Sequence, residues 1–363
     1  MTHQPLFRSF WQASALSLAA VVGLVVLQGA ALFRQEVRDA SGPPSSLVRS
    51  FAPLDDDRAA IFACSLAASV NGPALVQIGG IYDLTTDPPT LRRRFEGLDP
   101  HRVCGSGRRA FLSTCSGEVY SYELTSPCCE PILLGRHDHG YLQALECADD
   151  GSIVVATAAR VAMAWNVDAR KLLWRRSNID VSSCRFAPGS RRLFAGLDTG
   201  EIVELDPLSG ATVGRFLQLA GRVTSITISP GEDCLAAIDM HGNLFVIEIR
   251  ISLLHWSMRC SKSGLRARFS PDGKTLAIIH PSPTDDLGLF CAFSGRRLRG
   301  LSGSMGTVAG LAVTSRGTIY AWEGGDILVW DPGQATKLRS FCPARDWGPL
   351  NRSREVHARP LGA

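Results

Sequence analysis

The sequence holds 11 cysteines but not one Cys-x-x-Cys pair. An odd count without that spacing implies neither a paired disulfide framework nor a zinc site. Cys128 and Cys129 are adjacent, which does not suit a disulfide between them. Also missing are a G-x-S-x-G elbow, a P-loop, a G-x-G-x-x-G run and an H-E-x-x-H pair. The usual signatures of serine hydrolases, NTPases, dinucleotide enzymes and zinc proteases are therefore absent. Dense basic clusters are lacking too. The 38 Lys and Arg stand against 34 Asp and Glu, and the arginines are scattered in short groups such as Arg92-Arg93-Arg94 and Arg175-Arg176. A nucleic-acid interface would concentrate them and interleave aromatics, so no nucleic-acid partner is expected.

What the chain does have is apolar mass: 45% of its 363 residues are hydrophobic and 20% charged, enough for a sizeable core and too apolar for global disorder. Residues 13–33, ASALSLAAVVGLVVLQGAALF, carry no charge over 21 positions, the length a bilayer-spanning helix needs. Arg8 precedes this stretch, and Arg34 and Arg38 follow it, which leaves the orientation open. Two expectations stand side by side. One is a retained signal anchor, which the full apolar length suits. The other is a signal peptide cut near Gly29-Ala30-Ala31. Residues 34–45, with SGPPSS at 41–46, read as a linker.

Beyond the linker the sequence repeats. The segments beginning at Leu142, Val181, Val223, Gly264 and Val308 are spaced by 39, 42, 41 and 44 residues. Each opens on a strand with alternating apolar positions: Leu145/Cys147, Cys184/Phe186, Ile226/Ile228, Ala267/Phe269 and Leu311/Val313. Period-two alternation marks a strand with a buried face, so Cys147 and Cys184 are expected in the core. A turn follows, such as Ser229-Pro230-Gly231 or Ser270-Pro271-Asp272-Gly273, in which glycine is expected to take the positive φ. A second apolar strand, a polar hinge such as Asp198-Thr199-Gly200 and a third strand complete the pattern. The third strand ends in an apolar residue and, usually, an acid: Tyr122-Glu123, Leu205-Asp206, Ile247-Glu248 and Trp330-Asp331, with Trp165-Asn166 a variant. Two looser copies lie upstream, at residues 51–84 and 102–124, making seven.

A period of about 40–45 residues built from short strands is the signature of a β-propeller. These repeats resemble the WD-repeat β-propeller family over roughly residues 46–341. One copy ends in Trp-Asp, and His137 is the nearest counterpart of the family's Gly-His dipeptide. The expected fold is all-β, a seven-bladed propeller of four-stranded blades, preceded by one transmembrane helix and followed by a tail at residues 342–363. Residues 336–341, TKLRSF, are expected to give the last blade its own fourth strand, and the role of residues 42–48 in closing the ring stays open. Asn351-Arg352-Ser353 in the tail matches a glycosylation triplet of a kind common by chance.

The resemblance implies protein binding on the rim formed by hinges and interblade loops. His139, Asp198, Arg222, Asp239 and His241 are the candidate rim residues. Hinge carboxylates such as Asp198 and Asp239 also suit plain turn formation. His137-Asp138-His139 could offer two imidazoles to a metal, but the sequence places no third ligand. No cofactor, metal or small-molecule substrate is expected. The leading expectation is a membrane-tethered, non-enzymatic scaffold. A propeller enzyme of quinoprotein-like or hydrolase type, and an exported ligand-binding propeller, are the alternatives.

Overall fold

In a computed structural model, residues 46–343 are described except for 56, 70–71, 88, 96–97, 99, 126–129, 138, 140, 190, 261–265, 280–286, 302–307, 324, 332–338 and 342. The apolar segment at 13–33, the linker and nearly all of the tail lie outside the described residues. Among the described residues no helix is long and apolar enough to cross a membrane.

The described residues form seven four-stranded antiparallel sheets. Blade 1 comprises β1 (Ser46–Pro53), β2 (Arg58–Ser69), β3 (Gly72–Asp83) and β4 (Thr90–Arg94). Blade 2 follows with β5 (Pro100–Gly105), β6 (Arg109–Thr114), β7 (Glu118–Glu123) and β8 (Ile132–Arg136). Blade 3 holds β9 (Ala144–Cys147), β10 (Ile153–Ala158), β11 (Val161–Asn166) and β12 (Lys171–Ser177). Blade 4 is β13 (Val181–Phe186), β14 (Leu193–Leu197), β15 (Glu201–Leu205) and β16 (Thr212–Gln218). In blade 5 the strands are β17 (Val223–Ile228), β18 (Cys234–Asp239), β19 (Asn243–Glu248) and β20 (Leu253–Arg259). Blade 6 has β21 (Ala267–Phe269), β22 (Thr275–Ile279), β23 (Leu287–Cys291) and β24 (Arg297–Leu301). Blade 7 ends the ring with β25 (Val308–Val313), β26 (Ile319–Glu323), β27 (Asp326–Trp330) and β28 (Arg339–Phe341).

This is the expected propeller. The open question at residues 42–48 resolves in part: Ser46–Pro53 is the first strand of blade 1 itself, and blade 7 supplies its own fourth strand. Among the described residues no strand is shared across the seam.

Burial follows the radial order of the strands. All six residues of β10 and of β18 are buried, because a second strand is covered on both faces by neighbouring blades. The fourth strands alternate between exposed and partly buried residues, as in β16 and β20. The core is accordingly divided. Each of seven apolar clusters joins one pair of adjacent blades, and the cluster of Phe51, Ile61 and Tyr82 with Tyr320, Ile327 and Val329 joins blade 1 to blade 7.

One position near the end of the third strand is buried in every blade. Tyr82, Tyr122, Trp165, Leu205, Ile247, Phe290 and Trp330 stand at one register position, and each is at most 2% exposed. The polar residue after it holds the next turn. Asp206 accepts from Leu208 N at 2.9 Å and Ser209 Oγ at 2.8 Å, and Asn166 Oδ1 accepts from Ala169 N at 2.8 Å. In blades 3 and 4 this pair is thus a core side chain followed by an Asx turn.

One expectation about the turns needs correction. In Ser229-Pro230-Gly231-Glu232 the residue with positive φ is Glu232, at 56°, whereas Gly273 fills the matching place in Ser270-Pro271-Asp272-Gly273 at 70°. The fourth turn position demands the left-handed conformation, so Gly231 stands one residue too early to supply it.

A device with no counterpart in the sequence reading links blades at their outer edges. Trp174 Nε1 in β12 donates to Pro207 O in blade 4, and Trp256 Nε1 in β20 donates to Ala292 O in blade 6, both at 2.8 Å. Beneath each indole lies a positive-φ glycine, Gly210 or Gly295, where a Cβ would fall 2.7–2.8 Å from ring atoms. Only glycine satisfies both the backbone conformation and the close approach.

The turn carboxylates give the fold an acid limit. Hydrogen bonds from Thr85 and Arg92 lower Asp83 to about 2, and bonds from Ser270 and from Leu208 lower Asp272 and Asp206. Folded values below the ordinary one mean that this stabilisation is present above about pH 4 and is lost as pH falls towards about 2. The urea midpoint is therefore expected to drop between about pH 5 and about pH 2.5, and Asp83→Asn should flatten part of that drop. An unchanged pH profile in the variant would refute the assignment.

Candidate interaction face

The hinges between second and third strands and the connectors between blades emerge at the same ends of the sheets, so they share one face. Among the described residues, backbone hydrogen bonds pin several of these connectors, and the one between blades 4 and 5 is held on both sides. His137 N donates to Gly117 O at 2.7 Å, Leu219 N to Gly200 O at 2.9 Å and Cys260 N to Gly242 O at 2.8 Å, tying connectors to hinges of their own blades. Asp198 N donates to Asp180 O at 2.9 Å and Met240 N to Arg222 O at 2.8 Å, tying hinges to the preceding connector. These loops are held in one arrangement before any partner arrives.

Four of the five candidate rim residues gather on blades 4 and 5. Arg222 Nε lies 3.0 Å from Asp198 Oδ1, and both side chains are about 40% exposed. His241 is exposed against Gly221, next to Arg222. Asp239 belongs to the same hinge but points inward. It is 1% exposed, accepts His241 N and Asn243 N at 2.9 Å, and accepts Asn243 Nδ2 at 2.8 Å. Its carboxylate builds the hinge that presents His241. His139 is exposed on the connector between blades 2 and 3, apart from the other four.

The His137 ring has local work. Nδ1 accepts from His139 N at 3.1 Å, and Nε2 sits 3.3 Å from Val161 O while the side chain is 1% exposed. With both nitrogens turned to backbone, this ring fits a structural role, and Asp138 lies outside the described residues. Among the described residues no group of three or more His, Cys, Asp or Glu side chains is placed to hold a metal. Cys147 and Cys184 are buried free thiols, as expected for core positions.

Two apolar residues on this face went unnoticed in the sequence. Tyr141, 73% exposed, stands edge-on to His101 at 5.3 Å, and Met240 is 50% exposed beside Arg222. Both occupy hinge or connector positions, which is the signal that would have singled them out. Gln143, on the Tyr141 connector, reaches across to the Arg222 guanidinium at 3.2 Å and to Val181 O at 2.8 Å.

No protein-family model matches the chain, and no curated protein matches it. Solved structures do. A chain of the crystal structure of a mitotic checkpoint complex superposes with a TM-score of 0.58 over 67% of this chain and 79% of that one, at 15% identity. The likeness is one of fold. It extends across most of both chains and agrees with the seven-bladed ring.

Proposed function

We propose that the chain is a non-enzymatic protein-interaction propeller, held at a membrane by residues 13–33, and that it binds its partner through the face of hinges and interblade connectors. The pinned connector network carries this reading: loops fixed in advance lose little conformational entropy on binding. They display an exposed methionine next to a charged pair and an exposed tyrosine on another connector, the residue types that anchor protein interfaces. The family resemblance of the repeats points the same way, and the fold neighbour was itself crystallised in a complex.

The test is partner recovery by proximity labelling in cells that carry the full chain. Tyr141→Ala combined with Met240→Ala should lower recovery of the partner by about tenfold or more, about 1.4 kcal/mol. Arg222→Glu should weaken it as well, while shifting the unfolding midpoint by no more than about 1 kcal/mol, because the Arg222–Asp198 pair is solvent-screened. Leu133→Ala, on the exposed outer strand of blade 2, should change nothing. Equal recovery with all variants would overturn the choice of face. The N-terminal mass of membrane-fraction protein separates a retained anchor from an exported form cut after Ala31.

A further inference from the structure

The first strands of all seven blades surround one cavity of about 270 Å³ on the propeller axis. Their register defines two rings of positions. Aligned through their second-strand partners, Ser50, Arg102, Ala144, Ser183, Ser225, Arg266 and Gly310 form one ring, and Ala52, Cys104, Glu146, Arg185, Thr227, Arg268 and Ala312 form the other. Most are small. Against that background the four arginines stand out.

Arg102, Arg185, Arg266 and Arg268 line the cavity together with the carboxylates of Glu146 and Asp149. Among the described lining residues, four guanidiniums stand against two carboxylates, a formal excess of two positive charges. Arg185 is taken up by Glu146, with Nη1 at 3.1 and 3.0 Å from the two oxygens. Asp149 accepts from Gly189 N at 2.6 Å. Arg268 donates to Ala267 O at 2.9 Å and Arg102 to Leu142 O at 3.3 Å, neutral acceptors that satisfy a donor without cancelling a charge. Burial pulls Arg102 and Arg266 below the ordinary arginine value, with Arg266 adding to the effect on Arg102. Burial and Arg185 push Arg268 down to about 9. A guanidinium keeps its proton under physiological conditions, so three charges are held close together with reduced access to water, a cost that a bound anion would offset.

We propose that the axial cavity binds a small oxyanion with at least two negative charges, of the phosphate or carboxylate class, with Arg102, Arg266 and Arg268 as its ligands. Planar guanidiniums suit both classes because each offers paired oxygens to the fork of N–H donors. At about 30 Å³ per water, the cavity has room for roughly nine water-sized groups, which suits a small anion and excludes a folded partner. The anion proposal is tested by measurements independent of those on the protein-binding face.

Isothermal titration calorimetry on the full chain in detergent, with inorganic pyrophosphate and with citrate, tests the proposal. Saturable binding of one anion per chain is expected, with the tighter of the two fixing the class. Arg102→Gln with Arg268→Gln should weaken it about tenfold to a hundredfold, as loss of charge-assisted hydrogen bonds does. Glu146→Gln should tighten it several-fold by removing the opposing carboxylate, a gain that a merely misfolded variant would not show. Arg250→Gln, on the exposed surface, should match the parent. Absence of saturable binding with both anions, or binding untouched in the double variant and not tightened by Glu146→Gln, would overturn the site.

Discussion

Trp330→Ala is expected to destabilise the propeller by about 3–5 kcal/mol, the range for removing a large buried aromatic side chain. The indole is 0% exposed and belongs to the apolar cluster that joins blade 7 to Ala277, Ile279, Leu287, Leu289 and Leu301 of blade 6. No neighbour can collapse into the space without moving a second strand that is itself buried on both faces. Native domains are stable by only about 5–15 kcal/mol, so the variant should unfold at a much lower urea concentration. Asp331→Ala, by contrast, changes an exposed residue and should cost about 1 kcal/mol or less. Urea denaturation of both variants decides the matter. If Asp331→Ala proved as damaging as Trp330→Ala, the Trp-Asp ending would act through its acid and the packing account would fail.

The blades with regular spacing were legible because one rule generates them. Val181, Val223 and Val308, where three of the repeats begin, are also the first residues of β13, β17 and β25. Register was looser upstream because β2 and β3 each run to 12 residues, which stretches the first repeat beyond the common period. The rim was readable as position but not as orientation. Asp198 and Asp239 share a hinge pattern, yet one side chain pairs outward with Arg222 and the other turns in to bond Asn243. A single sequence does not separate those outcomes, since both are good turn residues.

The axial arginines and the outer tryptophans were in view but were passed over. The apolar members of each first strand face the core, and the alternate members face the axis. Arg185 sits between Cys184 and Phe186, and Arg268 between Ala267 and Phe269. A strand with one apolar set in a packed interior must send its other set somewhere, and at the centre of a ring that place is the channel. Trp174 and Trp256 occupy the fourth residue of β12 and β20. Their partners lie 33 and 36 residues away, which no local pattern connects.

Phe51→Ala should have a comparable cost, about 3–5 kcal/mol, and a different signature. Phe51 stacks on Tyr320 at 5.1 Å and on Trp322 at 5.9 Å across the seam between blades 1 and 7. Each of these blades is built from one continuous stretch of chain, and among the described residues no backbone hydrogen-bond ladder bridges the seam. Closure there depends on this cluster, on Tyr82 Oη donating to Pro343 O at 2.9 Å and on the exposed Arg316–Asp57 pair at 3.1 Å. Every other pair of neighbouring blades is also joined by the chain itself, and the connectors at His137, Leu219 and Cys260 are pinned by backbone hydrogen bonds. Loosening the seam should therefore open the ring locally, in the way that stacked repeat units part at their weakest interface. Hydrogen exchange measured by mass spectrometry is expected to show early loss of protection in Ser46–Pro53 and Arg339–Phe341, with blades 3 to 5 still protected. Phe194→Ala, which empties a comparable site between blades 4 and 5 beside Phe216, should destabilise without that local opening. Uniform exchange across all blades in the Phe51 variant would mean that the ring unfolds as one unit and that the seam is no weaker than its other joints.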